Sequence, residues 1–235
     1  DEERAIMRRE NETFRTFQEV PDPPEAIDAI PTLSVDDIPD KVEVIDTEYQ
    51  DLDGVPCYSL DIFTNGLAYI DLVFDIQDIS DELVPYFPLF CRAAAGAGLP
   101  GVSYDEVARR LSIETGGFVS FLEISSIPTA PVTAGQDGRK SRSFVVFRMK
   151  ALEANLEKAF AVVSSLMLRA DFSDSRRIRD ILYEFRNDVK AQILPAGSSF
   201  TALRAGSRLS PVLAREEMWK GIDQVLFLYR LADKV

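Results

Sequence analysis

The chain has 235 residues, 46% of them apolar and 28% charged, which is ordinary globular usage and speaks against disorder or a collagen-like chain. Its 39 acids against 26 bases leave a net charge of −13, the wrong sign for displacing counterions from nucleic acid, and no apolar run reaches the roughly 18 residues of a membrane-spanning helix. Histidine is absent, so an imidazole base, acid or metal ligand is excluded from this chain, and with it the Ser-His-Asp and Cys-His systems and most zinc sites.

Residues 1–19 are polar, with Ile6, Met7, Phe14 and Phe17 spaced as a thin helical stripe, which predicts a short amphipathic helix. Pro21, Pro23, Pro24, Pro31 and Pro39 then punctuate the chain to residue 40. Proline fixes φ and removes a donor, so this reads as an extended connector with at most one helical turn around Glu25–Ile30. Val42, Val44 and Ile45 suggest a strand. Val55 to Phe63 alternates, Thr64-Asn65-Gly66 is a strong turn signal, and Leu67 to Ile76 runs on as a strand, which predicts a β-hairpin over 55–76.

Residues 78–95 read as a helix that Pro85 and Pro88 should kink or delay. Ser103 and Glu106 form a capping box for a second helix, which Thr115-Gly116-Gly117 closes ahead of a strand at Phe118–Ile127. A Pro/Gly loop at 128–141 leads to a strand at Ser143–Ala151. Apolar stripes then predict helices from Leu152 to Met167 and from Ile178 to Ile193, followed by two more at about 198–209 and 211–233. The order predicts an α+β fold, with a largely antiparallel sheet of about four to five strands, helices packed on one face, and a helical C-terminal third. Residues 1–40 read as a helical and Pro-rich linker end, and 41–235 as a single domain.

Charge is unevenly spread, with 23 acids and 6 bases in residues 1–100 and 16 acids and 20 bases in 101–235. Cys57 and Cys91 form no C-x-x-C pair and read as buried free thiols of a reducing compartment, a bacterial cytoplasm or an organelle matrix. The opening Asp1-Glu2-Glu3-Arg4 is not a signal peptide and lacks an initiator Met, consistent with an excised piece of a longer chain.

Several groups invite a chemical reading, each beside a plain one. Asp71 and Asp75 share a strand face, with Asp61 on the preceding strand, and paired carboxylates can do acid–base work; the plain reading is the solvent face of a hairpin. Gly96-Ala97-Gly98 and Gly116-Gly117 resemble phosphate cradles only loosely and match no phosphate-loop spacing, so turn and cap duty is favoured. Arg139-Lys140-x-Arg142 and Arg176-Arg177-x-Arg179 offer guanidinium clamps for a carboxylate or acidic partner, or are solvated surface. Ser125-Ser126 and Ser198-Ser199 have no base to activate them. The residues themselves name no catalytic, substrate-binding or metal-binding position.

The order of residues is more specific than their chemistry. Pro21-Asp22-Pro23-Pro24-Glu25-Ala26-Ile27, Ile30-Pro31-Thr32-Leu33-Ser34, Asp37-Ile38-Pro39, Phe63 to Leu72, Pro85-Tyr86-Phe87-Pro88-Leu89-Phe90, Tyr104 and Thr115-Gly116-Gly117 follow one another. This set resembles the linker end and third domain of the presequence proteases, members of the pitrilysin/insulinase superfamily of zinc metallopeptidases. The resemblance implies a clamshell of four homologous α+β domains, two halves joined by a helical linker, enclosing a chamber in which unfolded peptides such as targeting peptides are degraded. It implies zinc for the full-length parent, held by a His-x-x-Glu-His helix in the first domain, where the Glu activates a metal-bound water.

No such position exists here, so no catalytic residue carries over. The resemblance makes this chain a non-catalytic piece: chamber wall, and support for the catalytic N-terminal half of the same polypeptide. Its acidic first hundred residues would suit Arg-rich peptides. The alternatives are a binding subunit of the superfamily without peptidase activity, and an independent enzyme built on the hairpin carboxylates.

Overall fold

A computed structural model describes residues 2–41, 44–128 and 139–235, and divides the chain into two compact units, Asp1–Ile62 and Phe63–Val235. In the first unit, α1 (Glu2–Glu19) carries its predicted stripe fully exposed. A one-turn helix, α2 (Pro24–Asp28), starts where proline at the first helical position loses no hydrogen bond. A two-stranded sheet follows, β1 (Thr47–Leu52) antiparallel to β2 (Val55–Leu60), with Tyr49 opposite Tyr58 and their rings 5.4 Å apart. Its turn is Asp53-Gly54, with φ of 54° and 87°, the left-handed pair of a tight hairpin. Among the described residues of the first unit, no side chain is fully buried. That unit also holds 18 acids and 5 bases, the whole net charge of −13, while Phe63–Val235 balances at 21 of each.

The second unit contains β3 (Leu67–Asp75), β4 (Gly117–Pro128) and β5 (Arg139–Leu152) in the antiparallel order β3-β5-β4. Around them stand α3 (Phe87–Gly96), α4 (Tyr104–Glu114), α5 (Leu156–Arg169), α6 (Ser175–Gln192), α7 (Gly197–Gly206), α8 (Pro211–Lys220) and α9 (Ile222–Ala232). One sheet face is the core: Met149 and Ala151 pack with Ala159 and Val163 of α5, and Val145 and Phe147 with Cys91 and Ala94 of α3. A second cluster joins α3, α6 and α9 through Leu89, Ile181, Leu182, Phe185 and Leu228. Alternation of side chains puts Tyr69, Asp71, Val73, Val119 and Arg148 on the other face.

The α+β class and the helical C-terminal third stand as the sequence predicts, and the antiparallel strands are five among the described residues, in two sheets. The hairpin over 55–76 does not form as predicted. Asn65-Gly66 does adopt left-handed φ of 55° and 76°, and Leu67 N–H bonds Thr64 C=O at 3.2 Å. The turn signal is local and was obeyed, but β2 pairs with β1 and β3 pairs with β5, whose register runs from Leu67↔Leu152 to Asp75↔Phe144. Strand pairing is a long-range choice that a turn dipeptide does not settle.

Other differences have simple causes. Of the strand expected at 42–45, Val42 and Glu43 lie outside the described residues, Val44 and Ile45 are not in a strand, and the first strand begins at Thr47. The helix expected over 78–95 starts at Phe87, after a single 3-10 turn at Val84–Tyr86, because Pro88 is tolerated only in a first turn. The loop expected at 128–141 gives way to strand at both ends, with Pro128 opposite Arg139, and residues 129–138 lie outside the described residues. The last predicted helix is broken at Gly221 into α8 and α9. Of the two cysteines, Cys91 is buried but Cys57 only half-buried, and both are free.

Candidate functional site

Asp71 and Asp75 do share the open face of β3, but each is already engaged. Asp71 opposes Arg148 in the β3–β5 register and accepts a two-pronged pair of hydrogen bonds from it, Nε to Oδ1 and Nη2 to Oδ2, both at 2.7 Å. Those bonds hold the Asp71 carboxyl below its usual range, so it stays ionised and makes a poor proton donor near neutrality. Arg148 also stacks over Phe121, 5.0 Å from the ring centre. Asp75 accepts from Gln77 N–H at 2.8 Å and lies 3.8 Å from Arg142. Asp61 belongs to the first unit. The carboxylate cluster is thus a row of cross-strand ion pairs.

The glycine pairs do turn and packing work. Gly96 C=O accepts from Arg177 Nε at 3.1 Å, and a Cβ on Gly98 would stand 2.7 Å from Val102 C=O, closer than side chains tolerate. Gly117 opens β4 at φ 148°, a conformation other residues rarely adopt. Of the basic runs, Arg142 faces Asp75, while the side chains of Arg139 and Lys140 lie outside the described residues. Arg177 is spent inside the fold, stacked 4.2 Å over Tyr104, whereas Arg176 and Arg179 are exposed on α6. Ser125 and Ser126 end β4, and Ser198 and Ser199 begin α7.

Two features escaped the sequence. At the α8–α9 break, Glu217 is 1% exposed and its Oε1 accepts from Arg204 at 3.1 Å and from Ile222 N–H at 3.0 Å; Arg204 also donates to Asp223 at 2.8 Å. Asp223, then Glu217, raise the Arg204 pKa further. Glu217 Oε2 has no partner among the described residues and lies against Gly221. A Glu four residues before a Gly was the available signal, but such a spacing is common.

The second feature is a cleft of about 270 Å³ between α3, β4 and α8, lined by Cys91, by Trp219 and by five successive residues of β4, Ser120 to Ile124. Burial pushes the Cys91 thiol up, and the neighbouring Ser120 hydroxyl pulls it partly back. Among the described residues, Ser120 Oγ has no hydrogen bond of standard geometry, and neither has Trp219 Nε1. No sequence motif marks this cleft, because it depends on which strand of the sheet lies at the edge.

Zinc, implied by the family resemblance, finds no fit here: among the described residues no three Cys, Asp or Glu side chains gather as a metal-holding group, and the chain has no His. No chemical step through a metal is derived for these residues. Among the described residues, no helix is long and apolar enough to cross a membrane.

A family model for a peptidase-associated domain, that of subfamily C in metallopeptidase family 16, matches residues 1–231. The chain is 28% identical, over its full length, to presequence protease 1, chloroplastic/mitochondrial, of Arabidopsis thaliana, and covers 21% of that protein. It is 27% identical over 91% of its length to protein HypA of Clostridium perfringens, covering 21% of it, and 27% identical over 89% to the mitochondrial presequence protease of Xenopus tropicalis, covering 20%. The chain therefore spans about a fifth of the length of the curated relatives it matches. With nearly every residue inside the matched region and the α+β fold in place, this chain belongs to that peptidase-associated family.

Proposed function

We propose that this chain is the non-catalytic third domain, with the end of the preceding linker, of a zinc-dependent metalloendopeptidase that degrades unfolded peptides such as targeting peptides inside a closed chamber. The observation that carries the proposal is the family match over residues 1–231, together with relatives named presequence proteases of which the chain covers about a fifth. In this reading residues 1–40 end the linker and 41–235 form chamber wall, supporting the catalytic N-terminal half of the same polypeptide. The parent would work in a mitochondrial or plastid matrix, as its relatives' names indicate, or in a bacterial cytoplasm. The zinc and the water-activating carboxylate would belong to that other half.

The net −13 carried by the first unit supports affinity for Arg-rich peptides. Neutralising those acids in the parent should slow cleavage of Arg-rich peptides more than of neutral ones; equal rates would remove this part of the proposal.

The deciding experiment is to read the coding DNA upstream of Asp1. A continuous frame carrying His-x-x-Glu-His supports the proposal, and the isolated chain is then expected to be inert and to bind no zinc. A continuous frame without that motif would assign the chain to a binding subunit instead.

A further inference from the structure

We propose that the outer edge of β4 is a binding site for an extended peptide segment, which adds to the sheet as a fourth strand in the cleft between α3 and α8. Backbone groups along this sheet are spent in alternation. Ile76 N–H donates to Ser143 C=O at 2.9 Å, so the odd-numbered residues of β5 turn their N–H and C=O groups toward β3, and the even-numbered ones toward β4. In the register Phe121↔Val146 and Glu123↔Phe144, it is then the odd-numbered residues of β4 that bond to β5. The N–H and C=O groups of Ser120, Leu122 and Ile124 point the other way. Because β4 is at the end of the order β3-β5-β4, no described strand meets them, and no hydrogen bond from them is found among the described residues.

Those residues line the cleft. Side chains of alternate β4 residues belong to opposite faces of the sheet, so a cleft lined by five in succession runs along the backbone edge itself. From Ser120 to Ile124 that edge extends about 13 Å, flanked by a helix on each side. Edge strands are usually blunted by charge or cover. The opposite edge, β3, carries the charges of Asp71 and Asp75, whereas the β4 edge presents its donors and acceptors between two walls.

The walls also indicate what kind of peptide fits. Their cations are already balanced, Arg92 by Asp188 at 2.7 Å and Lys220 by Glu216 at 2.6 Å. Recognition therefore falls on the main chain rather than on side-chain charge, which suits unfolded segments of varied sequence. Ser120 and Trp219 each add a buried polar atom that a bound carbonyl or amide can satisfy after a small adjustment. This site deepens the proposed function, and rests on it only for the identity of the peptide as substrate.

The test uses the whole 235-residue chain and a short, unstructured, uncharged peptide as probe, with amide hydrogen exchange read by NMR. The peptide is expected to protect the amides of Ser120, Leu122 and Ile124, and to leave those of Tyr69, Asp71 and Val73 unchanged. Ser120→Pro removes one outward donor and no ladder bond, so it should weaken the probe about five- to tenfold, one hydrogen bond's worth. Should that variant fail to fold, the same peptide methylated at alternate amide nitrogens makes the matching deletion on the other side and should not bind. Absence of binding, protection falling elsewhere, or full affinity of the methylated peptide would each overturn the site. None of these results would touch the peptidase assignment, which the upstream frame decides separately.

Discussion

At Gly221 a methyl group has nowhere to go, because a Cβ there would overlap the carboxylate of Glu217, and Glu217 is fixed by Arg204 and by Ile222 N–H. Gly221→Ala must displace a buried, hydrogen-bonded carboxylate or split α8 from α9, and is expected to cost about 2–3 kcal/mol, read from urea denaturation midpoints. Its φ of −96° is open to any residue, so a loss here would report space and not backbone strain. Acid sensitivity should be just as local. The folded Asp71 carboxyl titrates below the ordinary 3.8, so the stability it adds is present above that value and lost as pH falls through the lowered one. Glu106 behaves alike, drawn down to about 2 by Arg109 and Arg110. Asp71→Asn should therefore lose less stability than the wild type between about pH 6 and about pH 2, as followed by denaturation midpoints across that range. Equal acid sensitivity of the two proteins would show that the Arg148 pair contributes nothing.

Among elements, the helix starts are ranked by their caps. Asp174 accepts from Arg177 N–H at 3.0 Å at the start of α6, while Ser103 accepts from Glu106 N–H at 3.4 Å at the start of α4. Asp174→Ala is expected to destabilise the fold by about 1 kcal/mol and Ser103→Ala by about half of that, in thermal or urea denaturation. The Ser103 cap and the late start of α3 at its prolines were legible in the sequence because both depend on neighbours within four residues. Strand partners were not. Asn65-Gly66 turned as its chemistry requires, yet β3 took its partner about 80 residues away, and β1, with the polar sequence Thr47 to Leu52, was passed over although Asp53-Gly54 marked its turn. The β4 edge was invisible for the same reason, since an edge exists only once the strand order is known. The carboxylates and guanidiniums singled out from sequence were legible as groups but not as pairs, because Asp71 and Arg148 are brought together only by register.

Across the whole molecule, charge is partitioned rather than spread. All of the net −13 lies before Phe63, and the remainder is neutral while exposing Tyr69, Val73, Val119, Leu168, Leu194 and Leu209 to solvent. Proteins near zero net charge lose the mutual repulsion that keeps copies apart. A shortened chain of residues 63–235 should therefore pass unretained through an anion-exchange column near pH 7 and scatter light at concentrations where the full chain stays clear. Equal colloidal behaviour of the two would mean that local patches, not total charge, govern solubility. On this view the first 62 residues act as a built-in dispersant, keeping apart copies whose remaining surface carries little long-range repulsion of its own.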